Sequence, residues 1–245
     1  MTKQQIADNF SKIREDIKNA ELNSGRTPGS VKLCAVSKFH PLESVVDALE
    51  CHQTLFGENR VQEAFEKFNS IRSLPQVIDG TLLQPQLHII GSLQLNKVKK
   101  AVQIASCIQS VDREELLSEI EKQCSKLDKK INVFFELHTA EDSKSGYGSE
   151  DELIESVQKI ADGDFSHIVP AGLMTMAPFT EDKILIGKSF ERLRLLKEKL
   201  ASLFPALNIN ELSMGMSGDY KIAIEEGSTM VRIGTALFGE REYSA

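Results

Sequence analysis

Lys38 stands two residues beyond an apolar run, Val31-Lys32-Leu33-Cys34-Ala35-Val36, with the length and β-branched content of a buried strand. Ser37 precedes the lysine, and Pro41 follows where a helix can begin. A lysine at the point where a core strand empties into a loop has the placement that Schiff-base chemistry needs. The strand holds it on one side, the loop leaves it open on the other, and partial desolvation lowers the pKa of an amine. The same spacing also fits a surface lysine at a strand end. Far along the chain, Ser213-Met214-Gly215-Met216-Ser217-Gly218 and Gly234-Thr235 form two small-residue loops. Such loops let backbone N–H groups approach a phosphate, with hydroxyls as further donors, although each loop alone also fits a helix-capping turn.

The elements that must position these residues alternate. Strands are predicted over residues 31–36, 54–56, 87–90, 107–111, 131–137, 165–173, 208–212 and 230–233. Helical periodicity fills the gaps: 42–49, 61–71, 94–104, a segment from Asp112 as N-cap to 127, 153–160, 183–203 and 219–226. Residues 3–22 add an amphipathic helix in front, with Ile6, Phe10, Ile13 and Ile17 on one face. Residues 73–85, with two prolines and a glycine, read as loop. Eight β–α units demand parallel strands with crossover helices. The expected fold is α/β: a single (β/α)₈ TIM-type barrel over residues 1–245 with an additional N-terminal helix. An open doubly wound sheet is the alternative, but Gly146-Tyr147-Gly148 lacks the third glycine of a dinucleotide fingerprint. Ile186-Gly187-Lys188-Ser189 has Asp182 where a P-loop needs glycine.

A barrel gathers the residues that follow its strands on one rim. Here these are polar: Ser37, Lys38, Glu58, Asn59, Arg60, His88, Lys144, Ser213, Ser217, Arg232 and Thr235. Barrels bind phosphate between the loops after strands seven and eight, and closure sets those loops beside strand one. A phosphorylated aldehyde would then be held at both ends, its carbonyl on Lys38 and its phosphate on the two loops. Pyridoxal 5′-phosphate (PLP) is such a ligand. Arg232 at the ring nitrogen would leave the ring unprotonated and weaken its action as an electron sink. A Schiff-base aldolase acting on a sugar phosphate is the other chemical reading.

Composition narrows the classes. The 41% hydrophobic and 27% charged residues are those of a soluble globular chain. The formal net charge of −7 argues against non-specific binding to nucleic acid or anionic membranes. No apolar run approaches a membrane span or a secretory signal, so the expected compartment is the cytoplasm. Cys34, Cys51, Cys107 and Cys124 lack CxxC spacing and read as reduced, mostly buried thiols, Cys34 as inert. His40, His52, His138 and His167 share no metal-ligand spacing, so no metal is expected; His88, inside an apolar strand, reads as a core histidine. Met174, Met176, Met214 and Met216 are expected to pack near the barrel mouth, and Lys97-Val98-Lys99-Lys100 to be a solvated helix face.

Taken together, several segments carry a resemblance. They are Ala35-Val36-Ser37-Lys38, Gly57-Glu58-Asn59-Arg60-Val61-Gln62-Glu63, His88-Ile89-Ile90-Gly91-Ser92-Leu93-Gln94-Leu95-Asn96-Lys97 and Ser143-Lys144-Ser145-Gly146. Gly172-Leu173-Met174, Leu212-Ser213-Met214-Gly215-Met216-Ser217 and Gly227-Ser228-Thr229-Met230-Val231-Arg232-Ile233-Gly234 complete them. The chain resembles the pyridoxal phosphate homeostasis protein family, a single-domain relative of the N-terminal barrel of alanine racemase. The resemblance implies that Lys38 carries PLP covalently as an internal aldimine. It implies that Ser217, Gly234 and Thr235 hold the phosphate, that Arg232 faces the ring nitrogen, and that Asn59 and Met214 line the pocket. Lys144 matches a second lysine thought to receive or pass on the cofactor. Glu136-Leu137-His138 at the end of strand five, and the length of residues 73–85, depart from the pattern. The implied role is intracellular vitamin B6 homeostasis, buffering or delivering PLP, with apo-PLP enzymes as acceptors, a monomeric state and no catalytic residue. A single-domain PLP-dependent amino-acid racemase or lyase is the alternative. Racemases that share this barrel take a second base, a tyrosine, from a C-terminal domain of the partner subunit. This sequence ends at Ala245 without such a domain, and Tyr147, Tyr220 and Tyr243 are not placed to replace it.

Overall fold

The apolar run at residues 31–36 forms β1 (Lys32–Val36), with Cys34, Ala35 and Val36 buried on both faces of the strand, as a parallel sheet requires. In the computed structural model, which describes residues 1–139 and 146–240, seven further strands repeat that arrangement. They are β2 (Leu55–Glu58), β3 (Gln86–Ile89), β4 (Cys107–Val111), β5 (Ile131–Glu136), β6 (Ile168–Met174), β7 (Glu211–Ser213) and β8 (Met230–Ile233). All pair in parallel, in sequence order, and β8 closes on β1 through Cys34 opposite Arg232 and Ala35 opposite Ile233. The expected (β/α)₈ barrel with an additional N-terminal helix is the observed fold.

Helices cover the outside: α1 (Lys3–Asn23), α2 (Leu42–Glu50), α3 (Val61–Arg72), α4 (Pro75–Ile78), α5 (Val98–Ile104), α6 (Glu114–Ser125), α7 (Glu150–Ala161), α8 (Lys183–Leu203), α9 (Tyr220–Glu225) and α10 (Thr235–Phe238). The leading helix, α1, is started by a capping box in which Thr2 and Gln5 satisfy each other's backbone N–H groups. Its buried stripe, Ile6, Phe10, Ile13 and Ile17, packs on α2, α9 and α10 and so covers the outside of the β8–β1 seam. Buried Glu21 then accepts the backbone N–H groups of Gly29 (2.8 Å) and Val31 (2.7 Å), which delivers the chain into β1. The main core lies between strands and helices, while a smaller cluster of Cys34, Cys107, Phe134, Met174 and Met230 fills the barrel interior.

Several boundaries differ from those read off the sequence. The seventh strand spans Glu211–Ser213 rather than residues 208–212, because the buried Ser213 finds polar partners inside the barrel. The sixth is Ile168–Met174, not residues 165–173. Asp112 pairs with Arg113 instead of capping α6, whose N-cap is Arg113 without a side-chain bond. Residues 73–85 contain α4, begun by Pro75, and the basic helix opens with a 3₁₀ turn, Leu95–Lys97. Val98 is buried within that basic run while Lys97 and Lys99 are exposed, so its charged side is solvated as expected. Among the described residues, no helix is long and apolar enough to cross a membrane.

Candidate functional site

The β8–β1 seam builds the centre of the site. Gly234 follows β8 directly, and a Cβ placed on it would stand 3.3 Å from the Val36 carbonyl oxygen. Lys38, half-buried, lies two residues beyond Val36 and therefore shares this part of the rim with Gly234 and Thr235. Thr235 is exposed and opens α10, the short additional helix that barrels place after the eighth strand. Ser217 and Gly218 are exposed in the neighbouring β7–α9 loop. That loop turns at Gly215, whose φ of +97° and whose approach to Ala223 (a Cβ would lie 2.6 Å away) admit only glycine. Asp219 fixes the far side by accepting the Met216 N–H at 2.5 Å, and burial raises its pKa.

Arg232 is buried beneath these loops, and its guanidinium is pinned. Nη1 donates to the Ser213 carbonyl (2.6 Å) and to Ser213 Oγ (2.8 Å), and Nη2 donates to the Thr175 carbonyl (2.9 Å). Burial lowers its pKa, opposed by Cys34, Glu136 and Asp219, but a guanidinium stays protonated in proteins. Behind it runs a polar chain that the sequence did not reveal. Ser213 Oγ donates to Gln109 Oε1 (2.6 Å), and Gln109 Nε2 donates to His88 Nδ1 (2.7 Å). His88 is the core histidine expected, with burial pushing its pKa down to about 4, so its neutral ring can accept at Nδ1. The one available signal was a glutamine inside a strand that is buried throughout.

On the β2 side, Glu58 ends the second strand and Asn59 follows it. Glu58 Oε1 accepts from Ser37 Oγ (2.8 Å) and from Lys67 Nζ (2.9 Å), while burial raises its pKa against the pull of Lys67. Glu58 Oε2 and Asn59 Oδ1 are buried polar atoms without a hydrogen-bond partner among the described residues. Gly91, after β3, makes room for Asn59: a Cβ there would meet the Asn59 Cβ at 2.8 Å and its Cα at 2.9 Å. Arg60 is exposed and lays its guanidinium over the Phe39 ring, 4.4 Å from the centroid.

The structure thus gathers Lys38, Asn59, Ser217, Arg232, Gly234 and Thr235 at one end of the barrel. Met214 is different. It alternates with the inward-facing Ser213, is fully buried in the main core, and spends its backbone N–H on the Met230 carbonyl. Met174 is likewise buried, whereas Met176 and Met216 are exposed rather than packed, because the loops after β6 and β7 carry them off the barrel. Lys144 lies outside the described residues. Cys34 and Cys107 are buried in the interior, burial pushing Cys34 up to about 12, as an inert thiol requires. Among the described residues, no cluster of histidine, cysteine and carboxylate side chains could hold a metal ion.

A closed parallel barrel with an open polar rim over the β8–β1 seam defines a class, and the family model for the alanine racemase N-terminal domain matches residues 4–242. Alanine racemase of Clostridium difficile shares the fold at 18% identity and a TM-score of 0.72, over 97% of this chain and 58% of that one. Nearer in sequence is the pyridoxal phosphate homeostasis protein of Pasteurella multocida, 36% identical over 240 residues, 98% of this chain and 99% of the relative. PipY of Synechococcus elongatus, whose structure was solved with PLP bound, is 31% identical with a TM-score of 0.82, covering 96% of this chain and all of that one (100%). The chain belongs to the pyridoxal phosphate homeostasis protein family.

Proposed function

We propose that this chain binds PLP at the C-terminal rim of its barrel, through a Schiff base on Lys38, and holds or delivers the cofactor without turning over a substrate. The observation that carries the reading is the β8–β1 seam, which sets the Lys38 loop beside Gly234-Thr235 above a pinned Arg232. The residues present fit the group. Asn59 Oδ1 is a buried acceptor without a donor among the described residues, Gly234 puts no side chain in the way of its backbone N–H, and Ser217 and Thr235 are exposed hydroxyls on adjacent loops. The solved PLP complex of PipY, full-length in its match, supports the same ligand here.

When bound, PLP supplies an aldehyde for a primary amine and a ring that can accept electrons. Lys38 offers the amine. Ser217, Thr235 and the Gly234 backbone hold the phosphate. Arg232 has donors only, so it favours an unprotonated ring nitrogen and restrains electron withdrawal. Met214, buried with its backbone N–H on the Met230 carbonyl, lines the pocket from the core side and sets the course of the β7–α9 loop.

Of the alternatives, two-base racemization needs a proton donor on each face of the substrate. Tyr147 donates to Ser156 within the fold, and Tyr220 reaches Asp16 beside α1. Burial pushes both phenols up to about 12. Both phenols are thus engaged within the fold, which favours a carrier over a racemase; the proposed carrier is a cytoplasmic monomer that supplies apo-PLP enzymes. The test is the visible spectrum of the purified protein before and after Lys38→Ala, followed by transfer to an apo-enzyme. The band should vanish in the variant and the native protein should reactivate the acceptor. An unchanged band would overturn the Lys38 assignment, and isotope exchange at Cα of amino acids at enzymatic rates would overturn the carrier.

A further inference from the structure

The peptide units on both sides of Lys38 are held by one buried charge cluster. Lys67 reaches in from α3 with its side chain 7% exposed, and Nζ donates three hydrogen bonds. The acceptors are the Ser37 carbonyl (2.8 Å), Glu58 Oε1 (2.9 Å) and Glu63 Oε1 (3.0 Å), which uses every proton an ammonium carries. Glu58 Oε1 also accepts from Ser37 Oγ (2.8 Å), and Glu63 Oε1 also accepts the backbone N–H of Phe39 (2.8 Å). Residue 37 is therefore tied by side chain and carbonyl, and residue 39 by its N–H, to the same three charged groups.

Phe39 has a φ of +66°, a left-handed conformation that is uncommon for an aromatic residue. Such strain persists only when the surroundings over-determine it, and it concentrates where a functional group must be aimed. A buried ion cluster is also a poor choice for stability alone, because well-packed apolar side chains of similar volume serve as well or better. Fixed geometry at residues 37–39 is what the charges provide.

We infer that the Glu58–Lys67–Glu63 cluster is a positioning device that presets the backbone around Lys38, so that its amine meets an incoming aldehyde in a ready orientation. The inference rests on the proposed role of Lys38. None of the three residues touches the ligand in this scheme; they act through Ser37 and Phe39.

The test compares Glu63→Ala, Glu63→Gln and Lys67→Met in the full chain. Two quantities are followed: amide hydrogen exchange at Phe39 without cofactor, and the rate of capture of added PLP by absorbance. Glu63→Ala should speed exchange at Phe39 and slow capture, each about tenfold. Glu63→Gln, whose amide oxygen still accepts, should restore both to within about twofold. Lys67→Met should show both defects if it folds; Glu63, partly exposed, decides the matter if it does not. Faster exchange with an unaltered capture rate would overturn the inference, as would no change in either. Lys38→Ala keeps the two readings distinguishable. If the native chain shows no Lys38-dependent capture, the proposed function fails, while the exchange measurement still reports whether the cluster clamps the loop.

Discussion

Arg232 Nη1 donates to Ser213 Oγ at 2.8 Å, and through that contact the rim of the barrel is coupled to its interior. Ser213 passes the bond to Gln109, and Gln109 to His88. Arg232 can therefore swing only by breaking a chain of buried hydrogen bonds, each costly to leave unmade.

Ser213→Ala removes the Oγ partner from both Arg232 and Gln109. The expected cost is about 1–3 kcal/mol, read as a lower urea midpoint at constant m. With the guanidinium less firmly held, the absorption maximum of bound PLP should shift as well. A native midpoint and spectrum would show that the chain does not position Arg232.

His88 makes stability depend on pH. Its pKa falls from 6.5 to about 4 on burial, so the unfolded chain binds the extra proton through that window. The contribution is fully present above pH 6.5 and is lost as pH falls toward 4. By linkage the loss is about 2 kcal/mol at pH 5. His88→Gln should flatten this part of the profile, and urea titrations at pH 7.5 and pH 5 give the comparison. Equal pH sensitivity in native and variant protein would assign it to other groups.

Ser217→Ala combined with Thr235→Ala should loosen PLP by about a hundredfold to ten-thousandfold, since each hydroxyl lost from a charged acceptor is worth about 1.5–3 kcal/mol. The Lys38-dependent band should still form at saturating cofactor. Unaltered affinity in an equilibrium titration would place the phosphate elsewhere.

Gly91→Ala puts a methyl group against Asn59, where the nearest atoms are 2.8 and 2.9 Å away and include backbone. Overpacking of this kind costs about 1–3 kcal/mol. If the displaced residue lines the proposed PLP site, cofactor affinity should fall together with thermal stability. A loss of stability with unchanged affinity would remove Asn59 from the pocket.

The order of elements was legible in the sequence because the core strands are short, mostly apolar runs while each helix is apolar on one face, so periodicity separates them. Lys38, Gly234-Thr235 and the β7–α9 loop could be read as a site because a closed barrel sends the end of every strand to one rim. Hydropathy could not reveal which polar residues pair across the interior. Ser213 looked like the first residue of a loop, yet Arg232 and Gln109 draw it into β7. Asp112 looked like a cap, yet it pairs with Arg113. Nor could hydropathy reveal that Met214, which follows the inward-facing Ser213, packs its side chain into the main core.

Lys67 shows the division most clearly. In sequence it is the single lysine of an amphipathic helix, with nothing to set it apart from the chain's other lysines. In the structure its three protons join Ser37, Glu58 and Glu63 from three different elements. Local pattern determined the barrel and the lysine at its rim, since these depend on neighbours in the chain. Tertiary structure decided what holds that lysine and what holds Arg232, because a buried charge is placed by partners that only closure of the barrel brings within reach.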